Sequence, residues 1–389
     1  MSNINPKLRF KEFTKPVKKV KFGDISKVNQ GLQIPIAERF LQPVEGGQFY
    51  ITNEFLKAGS NKCYYIQNPP ASVICNEEDI LMTRTGNTGQ VVTDVSGAFH
   101  NNFFRIGFDR DKFYKSFLVQ YLRTTKTQNH ILKLAGTSTI PDLNHSDFYR
   151  IPIPYFEFDE QKKIADFLTS VDTKISQLAE KHRLLKEYKK GVMQQIFSQK
   201  IRFKDEDGKA FPEWTYESIG KYLEPHKELV RADTDIPILT SSRTGLYLQE
   251  RSVINEGDYG VVPLGHFTYR HMSDDLIFKF NVNRTWEKGA VSKEYPVFKT
   301  VGMDTYFLEV QLNEGNDFKK FAIQQKQGGT RTRLYFKNLK ELKLKLPCLK
   351  EQQKISQFLQ SIDAKIEGVA EQIEQTKQFK KGLLQQMFV

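Results

Sequence analysis

Apolar residues recur at alternating steps of four and three along two stretches of the chain, 160–197 and 351–388. This spacing predicts one long helix in each stretch, with a single apolar stripe along it. The second stretch repeats the first without a gap, and half of the aligned positions are identical. Because a lone helix cannot bury such a stripe, we expect each copy to pack against the other.

The stripe defines which side chains should meet between the two helices. Polar residues interrupt it at His182 and Lys189 in the first copy and at Thr376 and Lys380 in the second. His182 is interpreted as a polar residue of the helix seam rather than as a catalytic group. The residues expected to form the helix–helix contact are Ile164, Leu168, Val171, Ile175, Leu178, Leu185, Ile355, Leu359, Ile362, Ile366, Val369 and Ile373.

A mixed pattern of short β-rich runs and helical runs precedes each long helix, punctuated by Gly, Asn and Pro. We therefore predict an α+β fold with two globular domains at 1–158 and 200–349 and long spacer helices at 159–199 and 350–389. The helices are expected to pack as an antiparallel coiled coil, with the two repeated units related by a pseudo-twofold axis. Between the repeated segments the sequences of the two domains are dissimilar. This contrast suits a scaffold that carries two different recognition surfaces.

Composition restricts the classes of partner that the chain is expected to bind. Of the 389 residues, 39% are hydrophobic, which is enough to build real cores. The net charge of +12 favours a polyanionic partner, nucleic acid before membrane. Three scattered cysteines exclude a disulfide framework and a zinc site. No apolar run reaches the ~18 residues of a transmembrane helix, so we expect a soluble, cytoplasmic protein.

Catalytic motifs are scarce. Asn68-Pro69-Pro70-Ala71 is similar to the Asn-Pro-Pro-aromatic loop of adenine methyltransferases, but Ala71 replaces the aromatic residue and no Gly-rich cofactor loop precedes it. Glu341-Leu342-Lys343 has the Glu-x-Lys spacing of many nucleases, but no convincing upstream acidic residue accompanies it in this chain. No phosphate-binding loop or His-Glu-x-x-His helix is present. We therefore expect no catalytic residue, no metal and no cofactor in this chain.

Polar and basic loops in the two domains are the candidates for DNA contact. Arginine can pair with guanine, and asparagine suits adenine, whereas Lys, Ser and Thr more often contact the backbone. The predicted DNA-binding residues are Arg84, Thr85, Asn87, Thr88, Thr137, Ser138, Thr139, Arg243, Arg270, Arg284, Lys326, Thr330, Arg331, Thr332 and Arg333. The segments that begin at Gly136 and Gly329 occupy equivalent positions in the two repeated units.

As a set, the repeated signatures resemble the specificity subunit of type I restriction–modification enzymes over essentially the whole chain. The long helices open with Glu160-Gln161 and Glu351-Gln352, and both copies end in Lys-Lys-Gly followed by Gln-Gln. The arms Leu8-Arg9-Phe10 and Ile201-Arg202-Phe203 also match.

The resemblance implies two target-recognition domains that read a bipartite, asymmetric site on double-stranded DNA. It also implies long helices that set the unread spacer and dock partners through the stripe residues. The implied partners are two adenine-methyltransferase subunits that use S-adenosylmethionine, and translocating nuclease subunits that use ATP and Mg²⁺. Alternatives are a specificity module of another restriction or defence complex, a coiled-coil scaffold without a DNA role, and an enzyme in its own right.

Overall fold

The part of the chain before the first long helix is built from short strands and short helices. The computed structural model describes residues 3–57, 59–136, 140–250, 256–326 and 331–388. The strands of this part are β1 (Asn3–Ile4), β2 (Val17–Lys21), β3 (Ser26–Gln30), β4 (Gly47–Ile51), β5 (Tyr65–Gln67), β6 (Ile74–Cys75), β7 (Ile80–Thr83), β8 (Val91–Val92), β9 (Gly97–Phe99), β10 (Phe103–Phe108) and β11 (Pro152–Tyr155). The helices are α1 (Phe22–Ile25), α2 (Lys115–Leu122), α3 (Thr125–Ala135), α4 (His145–Arg150) and the long α5 (Phe158–Phe197).

The second part follows a similar order. Its strands are β12 (Thr215–Ser218), β13 (Leu223–Pro225), β14 (Leu229–Arg231), β15 (Leu239–Ser242), β16 (Gly245–Leu248), β17 (Asp258–Pro263), β18 (Phe267–Tyr269), β19 (Met272–Ser273), β20 (Phe280–Val282), β21 (Lys288–Ser292), β22 (Val297–Thr300), β23 (Thr332–Arg333) and β24 (Lys343–Leu346). Its helices are α6 (Thr305–Glu314), α7 (Asn316–Gln324), α8 (Phe336–Leu339) and the long α9 (Leu349–Met387).

The long helices contribute to both compact units of the chain. One unit comprises Met1–His182 with Val369–Val389, and the other comprises Arg183–Gly368. Each unit therefore contains one globular domain, the start of the long helix that follows it and the end of the other long helix. This division differs from the predicted series of domain, helix, domain, helix because the segments that pack together are distant in sequence. The observed helices begin one residue before the predicted bounds and end two residues before them.

The central sheets of the two units have the same strand arrangement. The order is β3-β10-β7-β8 in the first unit and β13-β22-β18-β20 in the second, and all neighbours are antiparallel. β7 and β18 occupy equivalent interior positions, and every residue of both strands is buried. This burial fits their mostly apolar sequences, Ile-Leu-Met-Thr and Phe-Thr-Tyr, since an interior strand covered on both faces has no solvent-exposed side.

A buried carboxylate ties the N-terminal arm of each unit to the start of its long helix. Glu160 binds the guanidinium of Arg9 through two contacts of 2.7 Å. Glu351 binds Arg202 at 3.0 and 3.3 Å and accepts a hydrogen bond of 3.0 Å from the indole of Trp214. Both carboxylates are fully buried. The repeated Arg and Glu are therefore a structural ion pair in each unit.

The adjacent glutamine plays the same role in both units. Gln161 accepts a hydrogen bond from the backbone of Tyr114 at 3.0 Å, and Gln352 accepts one from the backbone of Asp304 at 3.0 Å. Each glutamine also donates to the carbonyl group five residues before it. The repeated Glu-Gln pair thus fixes the start of the long helix against the globular domain.

Segments of the two long helices pack antiparallel within each unit. In the first unit Leu383 and Met387 join the same core as Ile164, Leu168 and Val171. In the second unit Met193 and Ile196 pack in one core with Ile355, Leu359 and Ile362. The α+β fold with two globular domains and two long helices is therefore confirmed. The pseudo-twofold relation between the units stays a prediction.

Two lysines that interrupt the apolar stripe pair with aspartates of the facing helix. Lys380 contacts both carboxylate oxygens of Asp172 at 2.7 Å in the first unit. Lys189 contacts Asp363 at 2.8 Å in the second. The side chains of both lysines are less than one-fifth exposed. Polar positions in the stripe are thus matched across the helix pair.

Candidate nucleic-acid interface

The loop after β7 in the first unit is held by an arginine–aspartate pair. Arg84 donates from Nε and Nη2 to the two oxygens of Asp142 at 3.1 and 2.6 Å. The guanidinium also lies over the ring of Phe104, 5.6 Å from its centroid. Burial alone would raise the pKa of Asp142, but hydrogen bonds from Thr85 and Arg84 outweigh it and lower the pKa. Arg84 therefore holds Asp142 in place at this surface, and Nε and Nη2 of its guanidinium are already hydrogen-bonded.

Threonine and asparagine side chains shape the rest of this loop. Thr88 is buried, and its hydroxyl donates to the carbonyl groups of Arg84 and Pro141 at 3.0 and 2.7 Å. Gly86 has a φ of +87°, and a Cβ there would lie 2.7 Å from the amide of Asn53. The glycine requirement and the bound Thr88 hydroxyl fix the loop conformation and leave Asn87 exposed.

Two arginines of the second unit are bound by neighbouring aspartates. Arg243, in the turn between β15 and β16, contacts Asp275 at 2.7 Å. Arg331 contacts Asp274 at 2.9 Å. Leu276, the next residue of this loop, has a φ of +64°, an uncommon conformation for a side chain of this size. Two separate loops are therefore joined through one acidic turn.

A buried asparagine anchors the turn that carries Arg243. The amide of Asn281 donates to the Ser241 hydroxyl and to the Ser242 carbonyl, both at 2.9 Å. Asn281 lies on β20 of the central sheet and is 4% exposed. The sheet thus determines where Arg243 is presented.

The remaining predicted DNA contacts differ in accessibility. Arg284 pairs with Glu309 of α6, and Thr332 is buried. Among the predicted DNA contacts, the exposed cations without an ion-pair partner in the described ranges are Arg270, Lys326 and Arg333. Thr137, Ser138, Thr139 and Thr330 lie outside the described residues. DNA contact stays a prediction for the whole set.

The acidic partners were not identified from the sequence. Asp142 lies 58 residues from Arg84, and Asp274 lies 57 residues from Arg331. No local pattern links residues so far apart, so only the sheet pairing brings them together. The adjacent Asp274 and Asp275 were a visible signal, yet an isolated acidic dipeptide is common on protein surfaces.

The stripe residues predicted for helix–helix contact are mostly buried within the units. Those that are buried are Ile164, Leu168, Val171, Leu178, Ile355, Leu359, Ile362 and Val369. Those that are half-buried are Ile175, Leu185, Ile366 and Ile373. Burial assigns the first set to packing inside the chain in this structure. Partner docking through the stripe stays a prediction.

No group of three or more His, Cys, Asp or Glu side chains within the described residues could hold a metal ion. Over the same ranges, no helix combines the length and apolar character needed to cross a bilayer.

Comparison with known proteins identifies the family. Residues 14–187 and 297–378, over half of the chain, match the family model of the type I restriction modification DNA specificity domain. The type I restriction enzyme MjaVIII specificity subunit of Methanocaldococcus jannaschii is 24% identical over 407 residues, which cover 94% of this chain and 90% of that protein. The MjaIX specificity subunit of the same organism is 26% identical over 195 residues, 46% of this chain and 45% of that protein.

Solved structures show the same fold. The S subunit of a type I restriction–modification system from M. genitalium superposes with a TM-score of 0.61 at 15% identity, covering 99% of both chains. A chain solved in work on complex assembly and conformational transition of the type I system gives a TM-score of 0.53 at 13% identity, covering 95% of this chain and 96% of that one. The protein thus belongs to the family of type I restriction modification DNA specificity subunits.

Proposed function

We propose that this chain reads a bipartite, asymmetric site on double-stranded DNA, with one half-site bound by each globular domain and an unread spacer between them. The observation that carries the proposal is the pair of equivalent central sheets whose adjoining loops bear different polar residues. Equivalent scaffolds with different loops suit the recognition of two different sequences. The net charge of +12 supports attraction to the phosphate backbone.

The proposed partners supply all of the chemistry. We expect two adenine-methyltransferase subunits that use S-adenosylmethionine, and nuclease–translocase subunits that use ATP and Mg²⁺. This chain would act without a catalytic group or cofactor of its own, in the cytoplasm where the DNA is found. Family membership supports this division of roles, as does the name "specificity subunit" carried by the relatives.

The spacer between the half-sites is proposed to depend on the long helices. Adding about one helical turn, roughly four residues, to both helices is expected to change the spacer while both half-sites stay the same. Motif mapping on such variants tests this separately from half-site reading. A change in either half-site would argue against a spacing role for the helices.

The test of the function is the mapping of methylated adenines in cells that express this chain together with its methyltransferase subunit. The expected result is a split motif with a fixed gap that is absent when this chain is omitted. Replacing residues 200–347 by those of a related chain should change one half-site and leave the other. A stable complex that adds no methylation would refute the proposal, and altered reading at both half-sites would refute independent domains.

A further inference from the structure

The first unit contains a junction where the chain after β7 meets the chain that leads into α4. The backbone N–H of Leu143 donates to the carbonyl of Arg84 at 2.9 Å. Next to this bond, Thr85 and Asp142 pair as an antiparallel bridge. Asp142 therefore lies directly across from the residue that opens the exposed loop.

The second unit has an equivalent junction after β18. The backbone N–H of Leu334 donates to the carbonyl of His271 at 2.8 Å. Met272 and Arg333 form the neighbouring antiparallel pair. Since β7 and β18 occupy the same place in equivalent sheets, Arg84 corresponds to His271 and Asp142 corresponds to Arg333.

The two junctions carry opposite hydrogen-bonding character at corresponding positions. Asp142 is an acceptor and is held by the cation of Arg84. Arg333 is a donor, and the residue beside it is His271 instead of an arginine. Burial lowers the pKa of His271, and its ring stacks on Tyr335 at 6.0 Å. The two junctions thus share the same backbone hydrogen-bond pattern, but the first presents a hydrogen-bond acceptor and the second presents a donor.

Asp142 retains an unfilled acceptor position. One of its oxygens accepts from Arg84 Nε and Thr85, and the other accepts from Arg84 Nη2. A carboxylate oxygen can accept two hydrogen bonds, so the second oxygen has room for one more. The side chain is 46% exposed, and its two anchors hold it in one orientation. These features describe a preorganised acceptor on the surface.

Arg333 offers the complementary chemistry. Its side chain is exposed, and no ion pair engages it within the ranges that the structure describes. It differs in this respect from Arg331 and Arg243, which are bound to Asp274 and Asp275. Its bidentate donor fork is therefore available.

We propose that Asp142 and Arg333 are corresponding specificity-determining residues, one in each domain. Asp142 accepts a hydrogen bond from the N4 amino group of a cytosine, and Arg333 donates to O6 and N7 of a guanine. Arg84 acts as the positioning residue of the first junction. The inference rests on the proposed function, since it names the bases that the two domains read.

The test uses the full chain with its methyltransferase subunit, and the variants Asp142→Asn and Arg333→Gln. DNA duplexes carry the wild-type motif with every single base substitution in both half-sites. Each variant should lose roughly 5- to 150-fold of its discrimination at one position of one half-site. The other half-site should be read as before. Methylation motifs mapped in cells should relax at the same positions.

Matched controls are available in each unit. Asp109→Asn changes an aspartate whose side chain is 44% exposed, close to the 46% of Asp142, and which is also paired with a cation. Arg231→Gln changes an exposed arginine of β14. Both control variants should keep the wild-type motif. A thermal melt of every variant establishes that it is folded.

Two outcomes would overturn the inference while the proposed function stands. In the first, Arg333→Gln and Asp142→Asn keep the full base discrimination of the wild type. In the second, Arg333→Gln weakens binding equally for all sequences and reduces the salt dependence by about one phosphate contact, while Asp142→Asn leaves base discrimination unchanged. If Asp142→Asn does not fold, Arg333→Gln decides the question. Failure of the wild-type chain to direct any split motif would instead refute the proposed function.

Discussion

Reversing the charges of Asp172 and Lys380 tests the antiparallel helix packing in the first unit. Nζ of Lys380 contacts both oxygens of Asp172 at 2.7 Å, and the amide of Gln120 donates to the same carboxylate at 2.9 Å. The lysine side chain is 19% exposed and the aspartate side chain 42% exposed. The perturbations are Asp172→Lys, Lys380→Asp and the double variant that exchanges the two charges.

The expected loss of unfolding free energy follows from the partial burial of the Asp172–Lys380 pair. Two unit charges about 4 Å apart attract by ~4 kcal/mol at an effective dielectric constant of 20. Desolvation and the exposure of the carboxylate reduce this value, and charge-assisted hydrogen bonds contribute a net ~1.5–3 kcal/mol. Each single reversal should therefore lower the free energy of unfolding by about 2 kcal/mol. For a unit of this size the midpoint of thermal unfolding should fall by roughly 4–8 °C.

The double variant should recover at least half of the loss. Oε1 of Gln120 is buried and has no hydrogen-bond partner among the described residues, so a turned amide can accept from the new lysine at position 172. Urea unfolding of the four proteins gives a double-mutant cycle. Lys381→Asp is the matched control, because Lys381 is exposed and adjacent to Lys380. Additive losses in the double variant, or single losses no larger than that of the control, would refute the helix register.

Three further results are expected. Arg9→Ala should lower the free energy of unfolding by about 3 kcal/mol in urea titrations, since it leaves the carboxylate of Glu160 buried without its cation; a loss below 1 kcal/mol would contradict this. Burial lowers the pKa of His100 to about 4, so stability should be lost as the pH falls from 6.5 towards 4, and His100→Asn should flatten that part of the stability–pH curve. Burial raises the pKa of the Cys75 thiol to about 11, so mass spectrometry should find iodoacetamide on the exposed Cys63 and on Cys75 only after unfolding.

The helical part of the fold was predictable because its information is local. An apolar stripe with steps of three and four requires a helix, and its repetition identifies the partner. The observed α5 and α9 agree with the predicted helices to within two residues at each end. Lys189 and Lys380 are polar positions within the otherwise apolar stripe, and the sequence pattern alone does not explain them. In the structure each is matched by an aspartate of the other helix.

The candidate site was only partly predictable. Residue type selected Arg84, Arg243 and Arg331, and all three lie on loops at the surface of their domains. Their acidic partners could not be selected in the same way, because an aspartate in a loop has no periodicity that marks its role. Thr88 and Thr332 have the residue type of a phosphate contact, but the tertiary structure buries both.

The sequence by itself determined the two long helices, the α+β class, the repeated units and the family, since these depend on periodicity and on motifs at constant spacing. Tertiary structure alone decided that each unit uses the end of the opposite long helix. It also decided that Asp142 and Arg333 occupy corresponding places beside equivalent strands. The reason is physical: sheet register joins residues more than fifty positions apart, and the pairing depends on burial of whole strands and helices rather than on neighbouring residues.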